Sequence, residues 1–89
     1  MRAVVEFPNH SRSYDPTRRA VRFWGYDSAI EVSFFIKEDA LTRIEPGVRL
    51  SEEGFLNAFD RNRDLICAAA AKVYVRGSRG SYDLVAADF

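Results

Sequence analysis

The segment Arg19–Lys37, RAVRFWGYDSAIEVSFFIK, constrains the fold more than any other part of the chain. Apolar and polar residues alternate on both sides of a turn-like centre, which predicts two β-strands joined as a hairpin. With Gly25–Ser28 as a four-residue loop, Trp24 lies opposite Ala29 and Arg22 lies opposite Glu31. This register places a charge pair on one face and apolar side chains on the other. The apolar face comprises Val21, Phe23, Ile30, Val32, Phe34 and Ile36.

The segments that flank the hairpin predict one further strand on each side and two helices. Pro8 ends the first strand, Pro46-Gly47 ends the short helix, and Ser51 suits the N-cap of the long helix. In chain order the predicted elements are a strand at Ala3–Phe7, a polar loop at Asn9–Thr17, the hairpin, a short helix at Glu38–Ile44, a long helix from Ser51 to about Arg76, and an edge strand at Ser81–Val85.

The order β-β-β-α-α-β predicts a single α+β domain over residues 1–89. We expect an antiparallel sheet of three to four strands, with the short and the long helix packed on one face. The helices then cover the face that carries Phe23 and Phe34. The opposite face carries Arg22, Trp24, Glu31, Ser33 and Phe35, with Val4 and Glu6 from the first strand.

The charge balance restricts the classes of partner. Thirteen Lys and Arg residues match thirteen Asp and Glu residues, so the chain has no net charge. A neutral chain has no long-range field that draws it to nucleic acid or to an anionic membrane. The single cysteine, Cys67, excludes an internal disulfide and favours a reducing compartment. No apolar run approaches the roughly 20 residues that span a bilayer. We therefore expect a cytoplasmic domain of bacterial type that does not enter membranes.

No set of residues predicts catalysis. His10, the only histidine, lies in the polar loop without an orienting carboxylate and nucleophile in a known spacing. Cys67 lies mid-helix beside apolar residues, where a thiol is buried and unreactive. One histidine and one cysteine far apart do not form a zinc site, and the phosphate-binding glycine motifs are missing. The sequence therefore predicts no catalytic residue, no metal and no cofactor.

Two surfaces remain as candidates for binding. On the outer sheet face, Trp24 and Phe35 would anchor a partner, while Arg22 and Glu31 would set its register. This predicts a non-enzymatic module that associates with itself or with another protein. The alternative is a rim that binds a small anionic or planar ligand, or nucleic acid, because arginine and aromatic side chains are common anchors of binding sites. The residues of this rim are Arg12, Tyr14, Tyr26 and Arg79.

Several strings of the sequence are specific enough to compare with a known family. FPN, FWGYD and EVSFF occur in this order at Phe7–Asn9, Phe23–Asp27 and Glu31–Phe35, and Gly80-Ser81-Tyr82 follows near the end. With these strings the chain resembles the small bacterial family catalogued as domain of unknown function 1488, over nearly its whole length. The resemblance implies a short, cytosolic, single-domain α+β protein. It implies no activity and supplies no catalytic or binding residues.

Overall fold

The computed structural model describes residues 5–74 and 81–89. It contains a four-stranded sheet and three helices, which confirms the α+β class. Val4, Arg76 and Arg79 lie outside the described residues. The strands are β1 (Arg12–Asp15), β2 (Ala20–Asp27), β3 (Ile30–Lys37) and β4 (Ser81–Leu84), and the helices are α1 (Glu38–Ile44), α2 (Glu52–Arg61) and α3 (Arg63–Val73), followed by a short 3₁₀ turn at Ala86–Asp88.

The sheet is mixed, so the expectation of a purely antiparallel sheet is wrong. The strand order is β1-β2-β3-β4, with antiparallel pairing throughout except between β3 and β4, which run parallel. All three helices lie between β3 and β4 in the chain. A connection of this length can cross over the sheet and return in the direction of the preceding strand, which a tight turn cannot do.

The hairpin turn is tighter than the four-residue loop expected from the sequence. Only Ser28 and Ala29 separate the strands, and Ser28 adopts a left-handed conformation with φ 56°. Trp24 therefore lies opposite Ser33 rather than Ala29. The two registers differ by an even number of residues, so every side chain keeps its predicted face. Ile30, at the end of the hairpin, is 60% exposed, and its assignment to the core is wrong.

The first strand begins later than expected. Residues of the predicted polar loop form β1, which pairs with Ala20–Phe23 of β2. In the predicted strand Ala3–Phe7, the described part makes one bridge, in which Glu6 and Tyr26 exchange backbone hydrogen bonds of 2.9 and 2.8 Å. The turn after β1 explains why a polar segment pairs here. The Asp15 side chain accepts hydrogen bonds from the backbone N–H groups of Thr17 and Arg18, which directs the chain back along β2.

The predicted long helix is two helices, because the chain breaks at Asn62. The N-cap prediction is confirmed, since Ser51 Oγ accepts a 3.0 Å hydrogen bond from the Gly54 N–H. At the break, Asn62 Nδ2 donates to the Ala58 carbonyl at 2.8 Å and to Glu45 Oε1 at 3.1 Å. This side chain caps the end of α2 and ties the break to the end of α1.

The core lies between the inner sheet face and the helices. Phe23 and Phe34 stack on neighbouring strands with their ring centroids 5.4 Å apart. Phe59 of α2 packs on Phe23 at 5.0 Å, and Tyr82 of β4 packs on Phe34 at 5.6 Å. The predicted inner-face residues that the structure confirms as buried are Val21, Phe23, Val32, Phe34 and Ile36.

Gly25 lies beside the segment before β1, and a side chain at this position would collide with the side chains of that segment. A Cβ atom on Gly25 would lie 2.7 Å from Val5 Cγ2 and 2.8 Å from Phe7 Cε1. We expect Gly25→Ala to lower the free energy of unfolding by about 1–3 kcal/mol, the usual cost of overpacking. Urea denaturation measures this change. Gly47→Ala is the matched control, because a Cβ on Gly47 meets no atom within 4 Å. Equal stability of the two variants would contradict the prediction.

Candidate functional site

The outer sheet face is not packed against the helices. The buried side chains of α1, α2 and α3 belong to the inner core, which contains Phe23 and Phe34 but not their outward-facing neighbours. Strand pairing places the outward-facing side chains together because opposed residues share a face. The outer face comprises Glu6, Ser13, Asp15, Ala20, Arg22, Trp24, Tyr26, Glu31, Ser33, Phe35, Lys37, Ser81 and Asp83.

Trp24 and Arg22 form the centre of this face. The Arg22 guanidinium carbon lies 4.7 Å from the centroid of the half-buried Trp24 ring, within cation–π range. Arg22 Nη2 also donates a 3.0 Å hydrogen bond to Ser33 Oγ. Ser33 is the residue opposite Trp24 on β3. The guanidinium is therefore held over the ring at two points, although its buried Nε has no hydrogen-bond partner among the described residues.

Phe35 is covered rather than exposed, so it cannot serve as the second anchor expected from the sequence. It is 5% exposed, and the Arg18 guanidinium carbon lies 4.3 Å from its ring centroid. Two further contacts fix Arg18. Its guanidinium makes a 3.5 Å ion pair with Asp15, and its backbone carbonyl accepts a 2.8 Å hydrogen bond from Lys37 Nζ. The sequence carries no signal for this contact, because it depends on how the β1–β2 turn folds back over the sheet.

The predicted cross-strand pair of Arg22 and Glu31 is wrong. Arg22 lies opposite Phe35, and Glu31 lies opposite Tyr26, near the hairpin turn. The Tyr26 hydroxyl donates a 3.3 Å hydrogen bond to Glu31 Oε2. On the other side of Tyr26 lies Glu6, so the exposed carboxylates of Glu6 and Glu31 flank this tyrosine on the outer face. We call Glu6, Tyr26 and Glu31 the acidic row. Along β2, the Cα atom of Tyr26 is about 13 Å from that of Arg22, at roughly 3.3 Å per residue.

The structure does not bring the described residues of the proposed ligand rim together. Arg12 makes a bidentate pair with Asp60, at 2.8 and 2.7 Å, which joins β1 to α2 and raises the pKa of Arg12. Tyr14, two residues along β1, donates a hydrogen bond to Glu38. Tyr26 lies on the opposite face of the sheet, and Arg79 is outside the described residues. Arg12 and Tyr14 therefore join the edge strand to the helices.

An open groove of about 790 Å³ separates α1 from α3. Its floor is formed by small and apolar side chains of α3, including Ala68 and Ala69. Its charged groups are Arg43, Lys72 and Asp88, which have opposite signs. The groove therefore shows no clear preference for a charged ligand.

The remaining reactive side chains lie apart from one another. His10 is exposed before β1, and Cys67 is half-buried on α3, where desolvation raises the pKa of its thiol. Within residues 5–74 and 81–89, no three His, Cys, Asp or Glu side chains lie close enough to hold a metal ion. The helices in this part of the chain are too short or too polar to cross a bilayer.

Comparisons with known proteins bear on the fold. A family model described as a protein of unknown function (DUF1488) matches residues 5–85. The crystal structure of a DUF1488 protein of unknown function from Shewanella loihica PV-4 has a TM-score of 0.78 and 17% sequence identity, with 94% of each chain covered. At this identity the likeness shows the fold alone. No curated protein matches the sequence.

Tyr14 should make the stability of the protein sensitive to alkaline pH. Its hydrogen bond to Glu38 raises the pKa of Tyr14 above 10.0, the ordinary value for the residue. The unfolded chain then loses this proton at a lower pH than the folded chain. The stabilisation is complete below about pH 10 and is lost as the pH rises through the folded-state pKa.

We expect the free energy of unfolding to fall more steeply above about pH 10 in the wild type than in Tyr14→Phe. Urea denaturation between about pH 8 and about pH 11 measures the difference. Glu38→Gln should weaken the alkaline dependence in the same way, because it removes the charged acceptor. Identical slopes in the wild type and both variants would contradict this account.

Proposed function

The chain belongs to the DUF1488 family of proteins of unknown function, and we propose that it is a non-enzymatic interaction module that binds a second copy of itself through the outer sheet face. The held pair of Arg22 and Trp24 carries this proposal. Tryptophan and arginine are the residues most enriched at the energetic centres of protein interfaces. Ser33 and the tryptophan ring hold the guanidinium in place, so little side-chain freedom is lost when a partner binds.

The charge pattern of the face favours a second copy as the partner. One end carries Arg22, and the other carries the exposed carboxylates of Glu6 and Glu31. A surface with both signs at opposite ends can be complementary to itself, which a two-fold symmetric interface requires. A uniformly basic or acidic face would instead repel its own copy.

The chemistry of the face supports binding rather than catalysis. The outer face defined above contains serine, tyrosine, arginine and carboxylate side chains, with no histidine or cysteine among its described members. The half-buried Cys67 fits a reducing compartment, and we also propose a cytoplasmic location in a bacterium. Binding of a small anion or nucleic acid by the Arg and Tyr rim stays a prediction from the sequence, because no contact among the described residues of the rim favours it.

Light scattering and fluorescence test the proposed self-association. We expect the wild-type chain to have the mass of a dimer at high concentration and to dissociate on dilution. Trp24 is the only tryptophan, so its emission reports directly on the outer face. Dilution should shift this emission to longer wavelength as the ring becomes more solvated. Trp24→Ala should weaken dimerisation more than about tenfold, as expected for the loss of a central anchor.

Leu65→Ala is the matched control, because it shortens a side chain of α3 that is 52% exposed and lies away from the outer face. It should leave the dimer mass unchanged. Circular dichroism establishes that both variants are folded. A wild-type chain that stays monomeric at every concentration would refute self-association. A folded Trp24→Ala variant that dimerises as strongly as the wild type would exclude the outer face as the contact surface.

A further inference from the structure

We propose that two copies pack face to face about a two-fold axis that runs across the strands near Trp24, so that Arg22 of each copy lies between the partner's Glu6 and Glu31. This arrangement rests on the proposed function, because it takes the outer sheet face as the contact surface. It adds the relative orientation of the copies and the charged groups that determine it.

The rows of the hairpin define the geometry. Arg22 is paired with Phe35, Trp24 with Ser33, and Tyr26 with Glu31, so these outward-facing rows follow one another along β2 and β3. Successive rows are about 6.6 Å apart, at two residues per row. The Trp24 row therefore lies midway between the basic row of Arg22 and the acidic row around Tyr26.

A two-fold axis that lies between the facing sheets has two limiting orientations, and they differ in which ends of the face meet. An axis along the strands places like ends together. Arg22 and Arg18 would then approach the same residues of the partner, with Lys37 at the same end of the face. Asp15 and Asp83 offset only part of this positive charge. Like charges brought together at an interface repel each other, so this orientation is disfavoured.

An axis across the strands exchanges the two ends. Each β2 then lies antiparallel over the partner's β2, and the position opposite Arg22 is the partner's Tyr26. Carboxylates flank this tyrosine on both neighbouring strands, Glu6 on one side and Glu31 on the other. Because the interface is isologous, the same contact occurs twice.

The groups that meet in this arrangement make no ion pair with any residue that the structure describes. Arg22 gives one donor to Ser33 and makes no salt bridge with the described residues. Glu6 and Glu31 also make no salt bridge within residues 5–74 and 81–89. A guanidinium has five N–H donors, so Arg22 can keep its bond to Ser33 and still bind a carboxylate of the partner.

Charge-reversed chains test the arrangement by mixing. Arg22→Glu makes both ends of the face acidic, and the double variant Glu6→Arg with Glu31→Arg makes both ends basic. Each variant alone should dimerise at least about tenfold more weakly than the wild type, because like charges now meet across the axis. An equimolar mixture should recover the dimer mass, since acidic ends of one chain then meet basic ends of the other. Sedimentation velocity measures the fraction of dimer in each variant alone and in the mixture.

Arg43→Glu is the matched control, because it changes the net charge as Arg22→Glu does but lies on α1. It should dimerise like the wild type and should not associate preferentially with the double variant. Glu6 and Glu31 are exposed, so the double variant gives a result even where Arg22→Glu disturbs the fold. Undiminished dimerisation of the double variant would overturn the arrangement.

The outcomes separate this inference from the function on which it rests. If the wild type forms a dimer that Trp24→Ala weakens, but the mixture stays monomeric, the two-fold arrangement is wrong and self-association through the outer face stands. If the wild type is monomeric, both fail. If the double variant gains affinity for short single-stranded oligonucleotides without losing its dimer, the carboxylates repel an anionic ligand and do not bind the partner's Arg22.

Discussion

The contact between Phe23 and Phe34 across β2 and β3 is the interaction on which the rest of the structure depends. Three further parts of the chain pack against these two rings. Phe7 lies 5.8 Å from Phe23 and 5.5 Å from Phe34, so the segment before β1 rests on both. Phe59 joins α2 to Phe23, and Tyr82 joins β4 to Phe34. The hairpin is thus the platform on which the distant parts of the chain assemble.

Burial of this aromatic pair also decides what the other face presents. Side chains alternate along a strand, so placing Phe23 and Phe34 inward places Arg22, Trp24 and Phe35 outward. The protein then covers the outward apolar groups with its own guanidinium groups, Arg18 over Phe35 and Arg22 over Trp24. The coverage is unequal, since Phe35 is buried and Trp24 is only half-buried. Trp24 is therefore more accessible to solvent than Phe35.

The faces of the hairpin could be predicted from the sequence even though its register could not. The observed register differs from the predicted one by an even number of residues, and an even shift preserves the side to which each residue points. The predicted pairing of Arg22 with Glu31 is nevertheless wrong, because the length of the turn determines which residues of β2 and β3 lie opposite each other. The Ser28-Ala29 turn lacks the asparagine or glycine that usually marks a two-residue loop, although Ser28 is left-handed. The conjunction of Glu6, Tyr26 and Glu31 had no local signal, since it needs the pairing of three separate segments.

The sequence by itself determined the α+β class, the bounds of α1 and the Ser51 cap, because these depend on periodicity and on neighbours within a few residues. For the same reason it determined the buried inner-face residues Val21, Phe23, Val32, Phe34 and Ile36. Only the tertiary structure decided that β4 runs parallel to β3, that a polar segment forms β1, and that Asn62 divides the long helix. These features arise from hydrogen bonds and packing between residues far apart in the chain. The candidate site also depends on the tertiary structure. The sequence pattern placed Arg22, Trp24 and Phe35 on one face, but the contacts of Arg18 with Phe35 and of Arg22 with Ser33 form only in the folded chain.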